Sequence, residues 1–358
     1  TYGVNTGFGR LSTVAISKSD IEQLQRNLII SHSTGLGPCF STEIVRAMMA
    51  LRINALAKGL SGIRLVTLQT LLDMLNKRVH PRIPERGSVG ASGDLCPLSH
   101  MVLPMIGLGE AEYQGEIMPG ARAMEKAGIP IITLKAKEGL ALNNGTCSMM
   151  AVGVLAAYDA VVATQTADIA TALSLEVLEG VIDAFDPRIH AARPHKGQME
   201  AAANVVAITR GSRMTTRQGE KRIQDAYSLR CAPAVHGGSR LALDYVIDVV
   251  TTEINSVTDN PLIFVEEDGN GRALSGCNFH GQPIAVAMDV LGIAMSELAD
   301  ICERRTERML NPALNNGLPA FLTEDSGLNS GLMQVQFPSA STVSENKVLA
   351  HPASVDSI

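Results

Sequence analysis

Tryptophan is absent and aromatic residues make up only 3% of the 358-residue chain, which disfavours the aromatic platforms that stack single-stranded bases. A basic excess is missing too. The formal charge is −6, which leaves too few cations to neutralise a phosphate backbone and argues against nucleic acid as a partner. The densest basic cluster, Arg304-Arg305-Thr306-Glu307-Arg308, is interrupted by acid on a helical pattern and reads as a salt-bridged helix face. Six cysteines form no CxxC pair, which excludes the common zinc and disulfide frameworks and fits free thiols in a reducing cytoplasm. The histidines at 80, 100, 190, 195, 236 and 280 lack metal-ligand spacing and read as structural or surface residues. Gly3, Gly7 and Gly9 follow no strand and make no G-x-G-x-x-G, so no dinucleotide fingerprint is present. No charged-then-apolar leader marks secretion. The most apolar run, residues 149–162, contains Asp159 and falls short of a bilayer span, so it is expected to be a buried core helix and no membrane is expected as a partner.

Apolar spacing supplies the architecture. Residues 1–15 are Gly-rich and read as a loop. A helix is expected over 20–33, capped by Ser19 and burying Ile21, Leu24, Leu28 and Ile29. Helices follow over 42–58 and 65–77, the latter with Leu68, Leu71, Leu72 and Leu75 inward, and an apolar helix over 95–107. Residues 131–134 read as a short strand, with turns at Gln114-Gly115 and Pro119-Gly120. Three long helices are expected over about 144–180, 238–257 and 283–310, the second ended by Asp259-Asn260-Pro261. Helices this long, apolar on most faces, predict a mainly α fold with a long-helix bundle core and association of copies through it. The division expected is a smaller mixed N-terminal region over 1–140 and a bundle region over 141–358.

The stretch around which the rest makes sense is Gly90-Ala91-Ser92-Gly93-Asp94. Attack of the Gly93 nitrogen on the Ala91 carbonyl closes a five-membered ring with loss of water. Loss of a second water from Ser92 leaves an exocyclic methylidene, giving 4-methylidene-imidazol-5-one (MIO), an electrophile that ordinary side chains do not provide. Gly93 supplies an unhindered nitrogen and tolerates unusual φ, Ser92 the leaving hydroxyl, and Ala91 a small neighbour. An isolated Ala-Ser-Gly is a plain turn, so the flanks decide. Asp94 either helps drive cyclisation or caps the helix after it. That helix would present its positive end to the ring.

Those flanks resemble the MIO-dependent aromatic amino acid ammonia-lyases. The resemblance is carried, in family order, by segments 2–9 (Tyr-Gly-Val-Asn-Thr-Gly-Phe-Gly), 87–95, 140–146 (Leu-Ala-Leu-Asn-Asn-Gly-Thr), 224–230 (Gln-Asp-Ala-Tyr-Ser-Leu-Arg), 259–262, 344–347 (Ser-Glu-Asn-Lys) and 351–357. It implies a fumarase/aspartase-like helical fold and a ring formed from Ala91, Ser92 and Gly93, with no metal, PLP or NAD. It also implies a homotetramer with active sites shared between subunits. By the same resemblance Tyr2 is the base on a mobile loop, and a tyrosine in that role needs nearby donors or positive charge. Arg230 clamps the substrate carboxylate, with Gln224 and Tyr227 beside it. Asn144 holds the ring oxygen or the amine, and Phe279 is an aromatic wall near the ring.

Ser31-His32 and Glu345 follow the histidine-lyase pattern. A buried imidazole and carboxylate suit a polar imidazole substrate better than a phenyl ring. Asn143, Ala226, Gln282 and residues 334–343 depart from that pattern. Relatives extend past both ends, so the chain is expected to be a fragment. The expected reaction is β-elimination of ammonia from L-histidine to give urocanate. The alternatives are a tyrosine or phenylalanine lyase, a 2,3-aminomutase, or a non-catalytic helical oligomer.

Overall fold

The computed structural model describes residues 2–356; Thr1, Ser357 and Ile358, and with them the end of the 351–357 segment, lie outside the described residues. In chain order come α1 (Ile21–His32), β1 (Leu36–Cys39), α2 (Thr42–Ala57), α3 (Leu65–Asn76), β2 (Val79–Pro81), β3 (Pro84–Arg86), α4 (Leu95–Val102), β4 (Glu110–Tyr113), β5 (Glu116–Pro119), α5 (Gly120–Lys126), α6 (Glu138–Asn143) and α7 (Cys147–Val177). They are followed by α8 (Pro187–Ala191), α9 (Lys196–Ile208), α10 (Tyr227–Arg230), α11 (Ala232–Ile254), β6 (Leu262–Val265), β7 (Gly271–Leu274), α12 (Gln282–Leu310) and α13 (Gln336–Leu349). The mainly α expectation holds, and α7, α11 and α12 are the three long helices read from the sequence. Two compact units divide the chain. One comprises residues up to Leu155 with Val249–Ala285, the other Ala156–Asp248 with Val286–Val355.

The first unit packs its short helices around a core in which Met48, Met49, Leu71, Met74, Leu98, Met101 and Met105 are fully buried. Ser41 caps α2 by accepting the Ile44 N–H at 3.4 Å. At α1 the expected Ser19 cap is not used: a 3-10 turn over Lys18–Asp20 precedes the helix and Asp20 is its boundary residue. The Asp20 carboxylate is engaged by the Ser17 hydroxyl at 2.7 Å. The Gln114-Gly115 turn is present with φ of +54° and +83°, as a tight hairpin between β4 and β5 requires. Pro119-Gly120, read as a turn, is instead the junction of β5 and α5.

No strand forms over 131–134. Ile132 donates its N–H to Met105 at 2.9 Å and packs on the core, so its apolar side chain serves burial with no partner strand alongside. Two buried charge clusters hold this unit together. Glu138 accepts from the Arg64 side chain, the Thr67 hydroxyl and the Lys135 N–H. Lys137 reaches Asp259 at 2.7 Å with both side chains almost completely buried.

The second unit has a polar centre. Asp168 on α7 accepts from His236 Nδ1 at 2.7 Å on α11, from Asn204 at 2.8 Å on α9, and from Arg240. Arg305 on α12 donates to His236 Nε2 at 3.4 Å and to the Ser228 carbonyl at 3.2 Å. Three helices thus meet through one carboxylate, and α12 joins them through His236. Arg305 is fully buried, which corrects its reading as part of a solvated face; only its neighbours fit that reading, Arg304 pairing with Glu303. By length and composition Glu138–Val177 is apolar enough to cross a membrane, further than the run of 149–162 suggested. Asp168, paired inside this bundle, lies within that stretch.

Two outcomes follow. Asp259→Ala leaves the Lys137 charge buried without its partner and should lower unfolding stability by about 3–5 kcal/mol in denaturant titration. Burial holds the His236 pKa below its ordinary 6.5, against the opposing pull of Asp168. Unfolded chains therefore take up a proton that the native state refuses, and stability should fall as pH drops below about 6.5. Thermal unfolding between about pH 7.5 and 5.5 should show a smaller slope in His236→Asn than in the parent.

Candidate active site

The Ala91-Ser92-Gly93 triplet lies immediately before α4, and its shape is set by a second backbone segment pressed against it. Gly93 has φ +80°, and a Cβ there would sit 2.9 Å from the Gly145 nitrogen and 3.0 Å from Asn144 Nδ2. Gly145 is equally confined, since its Cβ would meet Arg52 Nη1 at 2.4 Å. Asp94 donates its N–H to the Gly145 carbonyl at 2.7 Å. Asn144, at the C-terminus of α6, donates its side-chain amide to the Ser92 carbonyl at 2.8 Å. Gly93 donates to the Gly90 carbonyl at 3.3 Å, which also accepts from Gly281 at 2.9 Å.

Asp94 is the boundary residue of α4, yet its carboxylate does not cap that helix. It accepts from the Ser88 hydroxyl at 2.7 Å and from the Met149 N–H at 2.8 Å instead. Burial pushes its carboxyl above the usual carboxylate range, against those hydrogen bonds. The capping reading is therefore excluded. Burial likewise lowers the Lys137 ammonium, with Asp259 pulling the other way.

Ser92 opens onto a cavity of about 720 Å³, within the range that holds small molecules. Tyr2, Ser31, His32, Asn144 and Phe279 line the same cavity, so six of the residues singled out in the sequence converge from the N-terminal loop, α1, the α4 start, the α6 end and the segment before α12. The Tyr2 phenolic oxygen accepts the Gly9 N–H at 3.1 Å, and its ring meets Phe8 edge-on with centroids 6.1 Å apart. His32 and Ser31 both bond the Leu28 carbonyl through Nδ1 and Oγ, at 2.9 and 3.1 Å.

Gln224, Tyr227, Arg230 and Glu345 are not among the residues lining this cavity; they belong to the second unit. Arg230 lies over the Tyr227 ring at 4.6 Å and donates to the Asp225 carbonyl at 2.9 Å, so those two are neighbours as their three-residue spacing suggested. Gln224, Tyr227 and Glu345 are exposed. Sequence reasoning passed over Asn260, which lines the cavity and accepts the Gly276 N–H at 2.7 Å. The sequence signal is Asp259-Asn260-Pro261, which reads as a helix stop and a family segment. Leu24, Asn27 and Leu28 of α1 also reach the cavity, one to two helical turns ahead of Ser31-His32.

The whole chain, residues 1–358, matches the family model for aromatic amino acid lyases. It is 63% identical over 357 residues to histidine ammonia-lyase 2 of Fusobacterium nucleatum subsp. nucleatum, covering 100% of this chain and 70% of that protein. Among solved structures, histidine ammonia-lyase from Trypanosoma cruzi is 45% identical with a TM-score of 0.90, covering 100% of this chain and 66% of the other. The tyrosine aminomutase of Streptomyces globisporus is 40% identical with a TM-score of 0.94, covering 100% and 70%. The chain belongs to the aromatic amino acid lyase family, a family of carbon–nitrogen lyases.

Proposed function

We propose that this protein removes ammonia from L-histidine without oxidation, giving urocanate, at the cavity onto which Ser92 opens. The observation that carries the reading is the convergence of Tyr2, Ser31, His32, Asn144 and Ser92 on that one cavity. The 63% identity to a histidine ammonia-lyase supports the substrate. MIO formed from Ala91, Ser92 and Gly93 would supply the electrophile that converts the substrate amine into a better leaving group. The residues present fit it: Gly93 has no Cβ to clash with Gly145, Asn144 holds the Ser92 carbonyl, and Ser92 lines the cavity.

The remaining work falls to side chains of the chain itself. Tyr2 takes the proton from the substrate β-carbon as the carbon–nitrogen bond breaks, and the products are urocanate, ammonia and the returned proton. The Gly9 N–H donates to Tyr2 Oη at 3.1 Å and holds that oxygen in place within the loop. Ser31 and His32 offer polar partners to an imidazole side chain, and Phe279 walls the cavity. Asn144 positions the ring oxygen or the amine.

Arg230 is assigned to the substrate carboxylate, with Gln224 and Tyr227 beside it, and Glu345 joins Ser31 and His32 in facing the imidazole side chain. A homotetramer with shared active sites would let another copy supply them. Exposed apolar residues on the long helices, among them Tyr158, Ile169 and Leu173 on α7 and Tyr245 on α11, suit such burial between copies. All six thiols are free, which fits a cytoplasmic setting.

Ammonia release should be seen with histidine and not with tyrosine or phenylalanine, and Ser92→Ala should lower it by at least about a thousandfold. Release from tyrosine or phenylalanine would overturn the substrate assignment. A β-amino acid retaining the nitrogen would identify an aminomutase, and wild-type turnover by Ser92→Ala would sink the mechanism. Intact mass gives a second check. The parent should be lighter than its sequence by two waters, whereas Gly93→Ala, with a Cβ forced against Gly145 at φ +80°, should keep both waters.

A further inference from the structure

Gln25 is absent from every role assigned above, and it is completely buried on α1. Its side chain touches two backbones from distant parts of the sequence. Oε1 accepts the Gly139 N–H at 2.9 Å, and Nε2 donates to the Gly3 carbonyl at 3.4 Å. Gly139 lies in the first turn of α6, where backbone N–H groups have no partner inside the helix. Gly3 follows Tyr2. One amide therefore caps the start of α6 and ties down the root of the loop that carries the phenol.

The fit around this bridge is close at both ends. A Cβ on Gly139 would come within 2.9 Å of Gln25 Oε1 and 3.0 Å of the Gln25 carbonyl oxygen. Gly3 has φ +74°, and a Cβ there would lie 2.5 Å from Leu140 Cδ2 on α6. At its far end α6 delivers Asn144 to the Ser92 carbonyl. Tyr2 and Ser92 are thus referenced to opposite ends of one six-residue helix, and Gln25 is the polar link at the Tyr2 end. A carboxylate or an apolar side chain cannot satisfy both contacts, because one needs an acceptor and the other a donor.

We infer that Gln25 is a positioning residue for the lyase reaction: it holds the Tyr2 loop in register with the Ser92 segment through α6. This rests on the assignment of Tyr2 as the base. Gln25→Met keeps the side-chain length and removes both hydrogen bonds. Gln25→Glu keeps the acceptor for Gly139 and sets an oxygen against the Gly3 carbonyl.

In the full chain, both variants should still lose two waters by intact mass, since the two Gln25 hydrogen bonds go to Gly3 and Gly139 and not to the Ser92 segment. In both, kcat for histidine should fall about tenfold with KM held within about twofold, the loss expected for a neutral hydrogen bond whose removal acts on the transition state. Tryptic cleavage after the exposed Arg10, inside the loop, should accelerate by a similar factor. Wild-type kcat together with wild-type loop cleavage in a folded variant would overturn the inference. So would a lowered thermal midpoint with neither of those changes, or failure of both variants to fold, since each would leave Gln25 only a structural role. Tyr2→Phe separates the two readings: if it keeps the parental rate, the base assignment fails whatever the Gln25 variants do. If it is inactive while the Gln25 variants match the parent, only the inference fails.

Discussion

Two backbones can approach this closely only where neither residue carries a side chain, and the candidate active site depends on that restriction at Gly93 and Gly145. The Gly145 nitrogen occupies the space a Gly93 Cβ would need, and Arg52 occupies the space a Gly145 Cβ would need. The contact brings the α6–α7 junction against the triplet before α4. It places Asn144 within hydrogen-bond reach of Ser92, and it lets Asp94 and Gly145 share a 2.7 Å backbone bond. A methyl group on either glycine would open this seam and take Ser92 away from its partner.

Around that seam the first unit is braced by polar groups buried in pairs. Lys137 and Asp259 bond at 2.7 Å beside Asn260, whose N–H donates to Asp259 Oδ1 at 2.7 Å and whose side chain reaches the cavity. The ion pair therefore positions a cavity residue as well as neutralising two buried charges. Glu138, next in sequence, collects five donors from Arg64, Thr67 and Lys135. The short helix α6 is held at its start by these charges and by Gln25, and spends its end on Ser92. In the second unit a single carboxylate, Asp168, has the equivalent organising role for the bundle, and its partners reach Ser228 in the turn that holds Tyr227 and Arg230.

Much of this was legible residue by residue. The long helices were readable because their apolar residues recur with helical period over many turns, so small local errors do not alter the pattern. Local competition defeated the shorter readings. Ser19 lost the cap of α1 to a 3-10 turn, and residues 131–134 had strand-forming side chains without a strand beside them. Arg305 looked solvated because its neighbours are charged, whereas only the packing of α12 shows that it faces His236 and Ser228. Asn260 was hidden by a more familiar reading of the same residues as a helix stop.

The sequence by itself determined the chemistry that is available: a triplet able to cyclise, a tyrosine among loop glycines, and an imidazole and hydroxyl at Ser31-His32. Those properties belong to atoms joined by a few bonds, and they survive without knowledge of the fold. Tertiary structure decided which of these groups share a cavity. It brought Tyr2, Ser31, His32, Asn144, Phe279 and Ser92 together and placed Gln224, Tyr227, Arg230 and Glu345 in the second unit. It also gave Gln25 its two partners, 22 and 114 positions away. The reason is physical: hydrogen bonding, burial and steric exclusion act over a few ångströms, and no local pattern records which distant residues will be brought within that range.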